Sequence, residues 1–206
     1  MFRVFPRLPE NGMKTGRAST QLIELLANLA YTEGDVGLSS GARSKFYLDC
    51  KLVSYRPDGA TMVGDAVWET IRAENVAGVG GLTLGADAIV VSTIFAARRE
   101  GVDLPGFIVR KEPKKHGLEK WIEGVALPRG SRVAIVDDVV TTGGSVMDAV
   151  REAKKAGLVV AIVVPLVDRE EGAREAIEGA GLKFQPICTA SEVRAAYHHQ
   201  RSPAFA

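Results

Sequence analysis

In "STQLIELLANLA", residues 19 to 30, apolar Leu22, Leu25, Leu26 and Leu29 recur every three or four positions, the spacing of one helix face, and Ser19 stands where a cap belongs. Gly34, Gly37 and "LSSG" then break the chain, and "KFYLDCKLV" (45–53) alternates as a strand does, up to the turn "RPDG". These features predict a small N-terminal helix and strand module over residues 19–60, preceded by an extension over 1–18. Residues 61–206 alternate strand and helix: a helix from about Gly64 to Glu74, the apolar stretch "NVAGVGGLTLGAD", a helix "ADAIVVSTIFAARRE" stopped by Gly101, and the strand "FIVRK". After a polar segment come the strand "RVAIV", a helix from about Ser145 to Ala156, the strand "VVAIVVPLV", a helix from about Glu170 to Ala180, and the short strand "KFQPIC". Apolar strands separated by helices predict an α/β domain whose mostly parallel central sheet is covered on both faces.

Charge narrows the function. Lys and Arg number 26 against 25 Asp and Glu, which lacks the basic excess of a protein that binds nucleic acid by neutralising phosphates. The longest apolar run, "LVVAIVVPLV", is too short to cross a bilayer and contains Pro165, so no membrane span is expected. The start of the chain is basic but lacks the apolar core of a secretory signal. Cys50 and Cys188 have no metal-site spacing, and as free, buried thiols they suit a reducing cytoplasm.

In a sheet of this kind ligands bind beyond the carboxyl ends of the strands, which nominates "GVGGLTLG", "RKEPKKHG", "DDVVTTGGS" and "VDREEG". In "VDDVVTTGGS" the strand is expected to end near Val136, leaving Asp137 and Asp138 at the sheet edge while Thr141 to Ser145 open the next helix. Gly143 and Gly144 allow a tight turn of backbone N–H groups around a phosphate, and Thr141, Thr142 and Ser145 add hydroxyls. Two carboxylates would repel a bare phosphate but accept hydrogen bonds from sugar hydroxyls, so a ribose 5-phosphate satisfies both halves. On these residues alone an ordinary strand-to-helix turn remains the alternative. "GVGGLTLG" fits the dinucleotide fingerprint only with one residue ignored, and no nucleoside triphosphate loop motif occurs. "RKEPKKHG" gathers Arg110, Lys111, Lys114, Lys115 and His116: a solvated basic loop, or a lid of cations over departing negative charge.

The strand followed by "VDDVVTTGGS" resembles the phosphoribosyl pyrophosphate (PRPP) signature of the type I phosphoribosyltransferases. "RKEPKKHG" is similar to the catalytic loop of the orotate phosphoribosyltransferase family, and "LSSGARSKFYLDCK" and "LVDREEG" resemble its N-terminal and Asp-Arg segments. The resemblance runs from about residue 19 to about residue 195. It implies the type I phosphoribosyltransferase fold with a small N-terminal hood, and transfer of phosphoribosyl from PRPP to orotate with Mg²⁺ held mainly by the substrate rather than by protein side chains. It also implies that Asp137 and Asp138 hold the ribose hydroxyls, that Val139, Val140 and Thr141 to Ser145 line the 5-phosphate site, and that Thr141, Arg169 and Tyr47 meet orotate. Arg110 would contact pyrophosphate, and Lys111, Lys114 and His116 would act across a homodimer interface, with Lys114, His116 and Asp138 the catalytic residues. Many members have a lysine where this chain has Ser39 and Leu84, which weakens the transfer of contacts to those two positions; Lys45 and Lys51 are the cations that could compensate, although their usual role is exposed strand charge. A phosphoribosyltransferase for a purine or another pyrimidine, or a PRPP-sensing regulator, are the alternatives.

Overall fold

A computed structural model of the chain describes residues 18–37, 43–112 and 121–202. Helix α1 (Thr20–Leu29) starts where Ser19 accepts a hydrogen bond from the Leu22 amide, and it buries Leu22, Leu26 and Ala27. Strands β1 (Tyr31–Gly37) and β2 (Arg43–Leu48) pair antiparallel as a separate two-stranded ribbon. The glycines that suggested a break lie within β1, and the irregularity between Glu33 and Val36 absorbs their effect as a local bulge.

The strand expected over 45–53 stops at Leu48. The Asp49 carboxylate accepts from the Lys51 amide, the amides of Leu52 to Ser54 bond to the carbonyls of Asp49 and Cys50, and the chain coils into α2 (Lys51–Ser54). Helix α3 (Pro57–Ile71) begins seven residues before Gly64 because Pro57 fits a first helical turn, so residue 60 falls inside a helix. A 3-10 turn, Arg72–Glu74, ends it.

The main sheet contains β3 (Gly78–Leu82), β4 (Gly106–Val109), β5 (Ile122–Gly124), β6 (Arg132–Val140), β7 (Val159–Asp168) and β8 (Cys188–Thr189), in the order β5-β4-β3-β6-β7-β8. Only the β4–β5 pair is antiparallel. Helices α4 (Asp87–Arg99), α5 (Gly144–Lys155), α6 (Ala173–Gly179) and α7 (Ala190–Gln200) complete the domain. Successive residues of β6 feed opposite cores. Ala134 and Val136 pack with residues of α1, α3, α4 and α7, whereas Val133 and Ile135 pack with residues of α5 and α6. A sheet buried on both faces explains why its strands read as continuous apolar runs.

Two further strand expectations change. Strand β6 does not end at Val136 but continues through both aspartates, paired with β7 as far as Val140 opposite Asp168. "KFQPIC" is not a continuous strand: Phe184 makes one bridge to Val163, and pairing resumes at Cys188 beyond Pro186, which has no N–H to give. Strand β5 and helix α7 are additional to the sequence expectation. No helix among the described residues is long and apolar enough to cross a membrane.

Candidate active site

The continuation of β6 fixes the first two functional side chains. Asp137 is buried and Asp138 half-buried, and each carboxylate accepts the next backbone amide, Asp138 N at 3.0 Å and Val139 N at 2.8 Å. Burial pushes the Asp137 carboxyl up to about 7, and the negative charge of Asp138 adds to the effect. The β3–α4 turn presses on the same groups: a Cβ at Gly85 would stand 2.4 Å from an Asp137 oxygen and 2.6 Å from an Asp138 oxygen. Gly81, by contrast, serves packing, since a Cβ there would lie 2.1 Å from the Val136 carbonyl oxygen. "GVGGLTLG" is therefore a buried strand plus the turn at the aspartates, and the dinucleotide reading finds no support in it.

Beyond Val140 the chain turns through Thr141 and Thr142 to Gly143, whose φ of +87° suits glycine and starts α5. No side chain caps α5, and its first turn holds no acidic residue. The helix thus presents open N–H groups and the positive end of its dipole beside Thr141, Thr142, Gly144 and Ser145, the arrangement that receives a phosphate.

A lysine completes the carboxylate site. Lys51 Nζ lies 3.2 Å from Asp138 Oδ2 and 3.0 Å from Asp49 Oδ1, joining α2 of the N-terminal module to the end of β6. Burial works against its ammonium, but the hydrogen bond to Asp49 and the charge of Asp138 outweigh it and raise the Lys51 pKa above the ordinary range. Lys51 stands where the alternation of 45–53 predicts a strand. Its place in α2 could not be read from the alternating pattern.

At the end of β7, Arg169 donates its amide to the Val140 carbonyl, which sets it beside the same strand end. Its side chain is 5% exposed, with its carbon Cζ 4.4 Å from the centre of the Phe46 ring. Nη2 donates to Ser44 Oγ at 3.0 Å, and Nε donates to Glu171 Oε1 at 2.9 Å. The inner face of β2 carries Ser44, Phe46 and buried Leu48, so Tyr47 points the other way and is 42% exposed. The structure brings Phe46, not Tyr47, onto Arg169.

Arg110 and Lys111 follow β4 and line a cleft of about 510 Å³ with Thr83, Leu84, Ile108, Glu112 and Glu123. Arg110 Nη1 is 3.5 Å from Glu123, and the charge of Lys111 is felt at Asp137. Ser39, Lys114, Lys115 and His116 lie outside the described residues. Among the described residues, no three acidic, histidine or cysteine side chains converge as a metal site.

The model of the phosphoribosyl transferase domain matches residues 80–183. A Nostoc protein, orotate phosphoribosyltransferase, is 42% identical over 177 residues, covering 86% of this chain and 85% of the relative. The Aquifex aeolicus orotate phosphoribosyltransferase is 43% identical over 156 residues, covering 76% of this chain and 85% of its own length. Among solved structures, the Mycobacterium tuberculosis orotate phosphoribosyltransferase in complex with PRPP superposes with a TM-score of 0.72 at 32% identity, covering 87% of this chain and 99% of that one.

Proposed function

The chain belongs to the orotate phosphoribosyltransferase family, and we infer that its strand-end site transfers the phosphoribosyl group of PRPP to N1 of orotate, yielding orotidine 5′-monophosphate and pyrophosphate. This is a step of pyrimidine nucleotide synthesis. The observation that carries the reading is the placement of Asp137 and Asp138 immediately before the open N terminus of α5, with the Arg169 guanidinium at the end of the neighbouring strand. Carboxylates, phosphate cradle and guanidinium match the three polar parts of the two substrates: ribose hydroxyls, 5-phosphate and orotate carboxylate.

In the reaction the bond from the anomeric carbon to pyrophosphate breaks and the bond from that carbon to N1 forms, with positive charge gathering on the ribose ring between the two events. The carboxylates of Asp137 and Asp138 accept the ribose hydroxyls and hold the ring in place. Thr141, Thr142, Ser145 and the amides of the turn from Thr141 to Gly144 hold the 5-phosphate. Arg110 and Lys111, with Lys114 and His116 from the following segment, neutralise the departing pyrophosphate. Arg169 grips the orotate carboxylate, and Thr141 completes the orotate side, with Phe46 rather than Tyr47 packed on the guanidinium. Orotate arrives as an anion, so N1 needs no strong protein base.

Mg²⁺ neutralises pyrophosphate charge when bound. The oxygen donors here are two adjacent carboxylates, one already paired with Lys51, which suits a hard ion held mainly by substrate oxygens and water with Asp137 and Asp138 beside it.

The family pattern places Lys111, Lys114 and His116 in the partner's site of a homodimer. Exposed apolar side chains support that assembly: Val91 and Phe95, one turn apart on α4, are 52% and 64% exposed, and Leu52 on α2 and Tyr55 at its C-cap are exposed where α2 packs against α4. Leu84, 62% exposed, lines the Arg110 cleft, so a second copy covering it would meet the site. Phe95→Asp should shift the protein to monomers in sedimentation velocity. A Lys114→Ala protein mixed with an Asp137→Asn, Asp138→Asn protein should regain part of the activity. The buried free thiols of Cys50 and Cys188 fit a cytoplasmic enzyme.

The direct test supplies the purified protein with PRPP, Mg²⁺ and one base at a time. Loss of orotate absorbance is expected; turnover of adenine or uracil in its place would overturn the assignment.

A further inference from the structure

Arg169 is an awkward receptor for a substrate carboxylate, because its side chain is nearly buried and its fork is already engaged by Ser44 and Glu171. A guanidinium withdrawn this far from water is costly to leave without a counter-charge, so some anion has to face it in the free protein. Glu171 is that anion, with Oε1 2.9 Å from both Nε and Nη2.

The two partners differ in freedom. The Arg169 side chain is 5% exposed, whereas that of Glu171 is 41% exposed. The turn around them is anchored elsewhere: Asp168 accepts the Glu170 amide, and the Glu170 carboxylate accepts the Ser191 amide at the start of α7. Glu170 stands in the left-handed region at φ +62°. Among the described residues, the Glu171 carboxylate is held by Arg169 and by nothing else in that turn.

We propose that Glu171 is a displaceable stand-in for the substrate's carboxylate: it neutralises Arg169 in the free protein and swings to solvent when a carboxylate-bearing base arrives. The inference rests on the reading of Arg169 as the orotate grip and adds a selectivity device to it. Exchange of one carboxylate for another keeps the guanidinium paired throughout. A base without a carboxylate can displace Glu171 only by leaving Arg169 uncompensated, so the internal competitor works against the wrong base as well as waiting for the right one.

Kinetics of Glu171→Gln and of Glu171→Ala, each checked for a wild-type-like melt, test this. Removal of the competitor should lower KM for orotate about two- to fivefold, the effect expected of a half-exposed ion pair, while KM for PRPP keeps its value. An orotate KM that rises in both variants would make Glu171 a fixed support of Arg169 and overturn the proposal, and an unchanged one would show no competition and overturn it equally. Arg169→Ala separates the two levels. If it raises the orotate KM strongly while the Glu171 variants do not lower theirs, the stand-in fails and the grip survives. If orotate binding ignores Arg169, the grip itself fails.

Discussion

The proposed donor and acceptor halves of this site are built in opposite ways. The donor half is one uninterrupted run, Asp137 to Ser145, in which a strand end supplies carboxylates and a helix start supplies amides. The acceptor half is assembled: Arg169 closes β7, while Ser44 and Phe46 come from a ribbon 125 and 123 positions earlier in the chain. Backbone pairing fixes the first half, since β6 cannot shift without breaking its ladder to β7. The second half depends on how the N-terminal module docks, and Lys51 on Asp138 is the one polar contact described between α2 and the donor half. Rigid donor chemistry with a docked acceptor wall lets one scaffold keep its phosphoribosyl site while the base changes.

Variants can break this division in order of effect. The largest loss belongs to the donor half: Asp137→Asn with Asp138→Asn should cut kcat/KM about a thousandfold, because two hydrogen bonds to charged acceptors contribute roughly 3–6 kcal/mol together. Next is Arg169→Ala, which should raise the orotate KM about a hundredfold and leave equilibrium binding of PRPP within about twofold. Parallel loss of both would mean that the halves are not separable. Lys51→Ala should raise KM for PRPP about tenfold, with Lys51→Arg recovering most of it, since the ammonium both pairs with Asp138 and links the module to the strand end.

The smallest effect runs in the opposite direction to activity. The Asp137 carboxyl, moved from 3.8 up to about 7 in the folded protein, favours folding while protonated. Its contribution is complete below about pH 4 and is lost as pH rises to about 7, where the buried carboxylate ionises beside Asp138. The unliganded wild type and Asp137→Asn should therefore melt alike at pH 4, and at pH 8 the variant should melt at the higher temperature. An inactive variant that is the more stable protein identifies Asp137 as a group kept for its ligand.

Much of this architecture was legible from the chain. The alternation of helices and apolar strands predicted the doubly covered sheet, and "VDDVVTTGGS" is readable as the proposed donor half because its parts are adjacent in sequence. The end of β6 was misjudged, because charge at Asp137 suggests an edge whereas the ladder to β7 carries the strand on to Val140. The helix at Lys51 was hidden because its cause is a carboxylate–amide bond from Asp49, which no apolar period records. Phe46 was recoverable in principle: a strand places Ser44, Phe46 and Leu48 on one face, but nothing local shows which face meets Arg169. Glu171 could not have been distinguished from any other surface acid until its distance to Arg169 was known.

The central claim is that Arg169 reads the carboxylate of the acceptor base. The most direct measurement is kcat/KM for orotate and for uracil, with saturating PRPP and Mg²⁺, in the wild type and in Arg169→Ala. A strong preference for orotate is expected, falling by about a hundredfold in the variant, chiefly through the orotate value. A preference left intact in Arg169→Ala would contradict the claim.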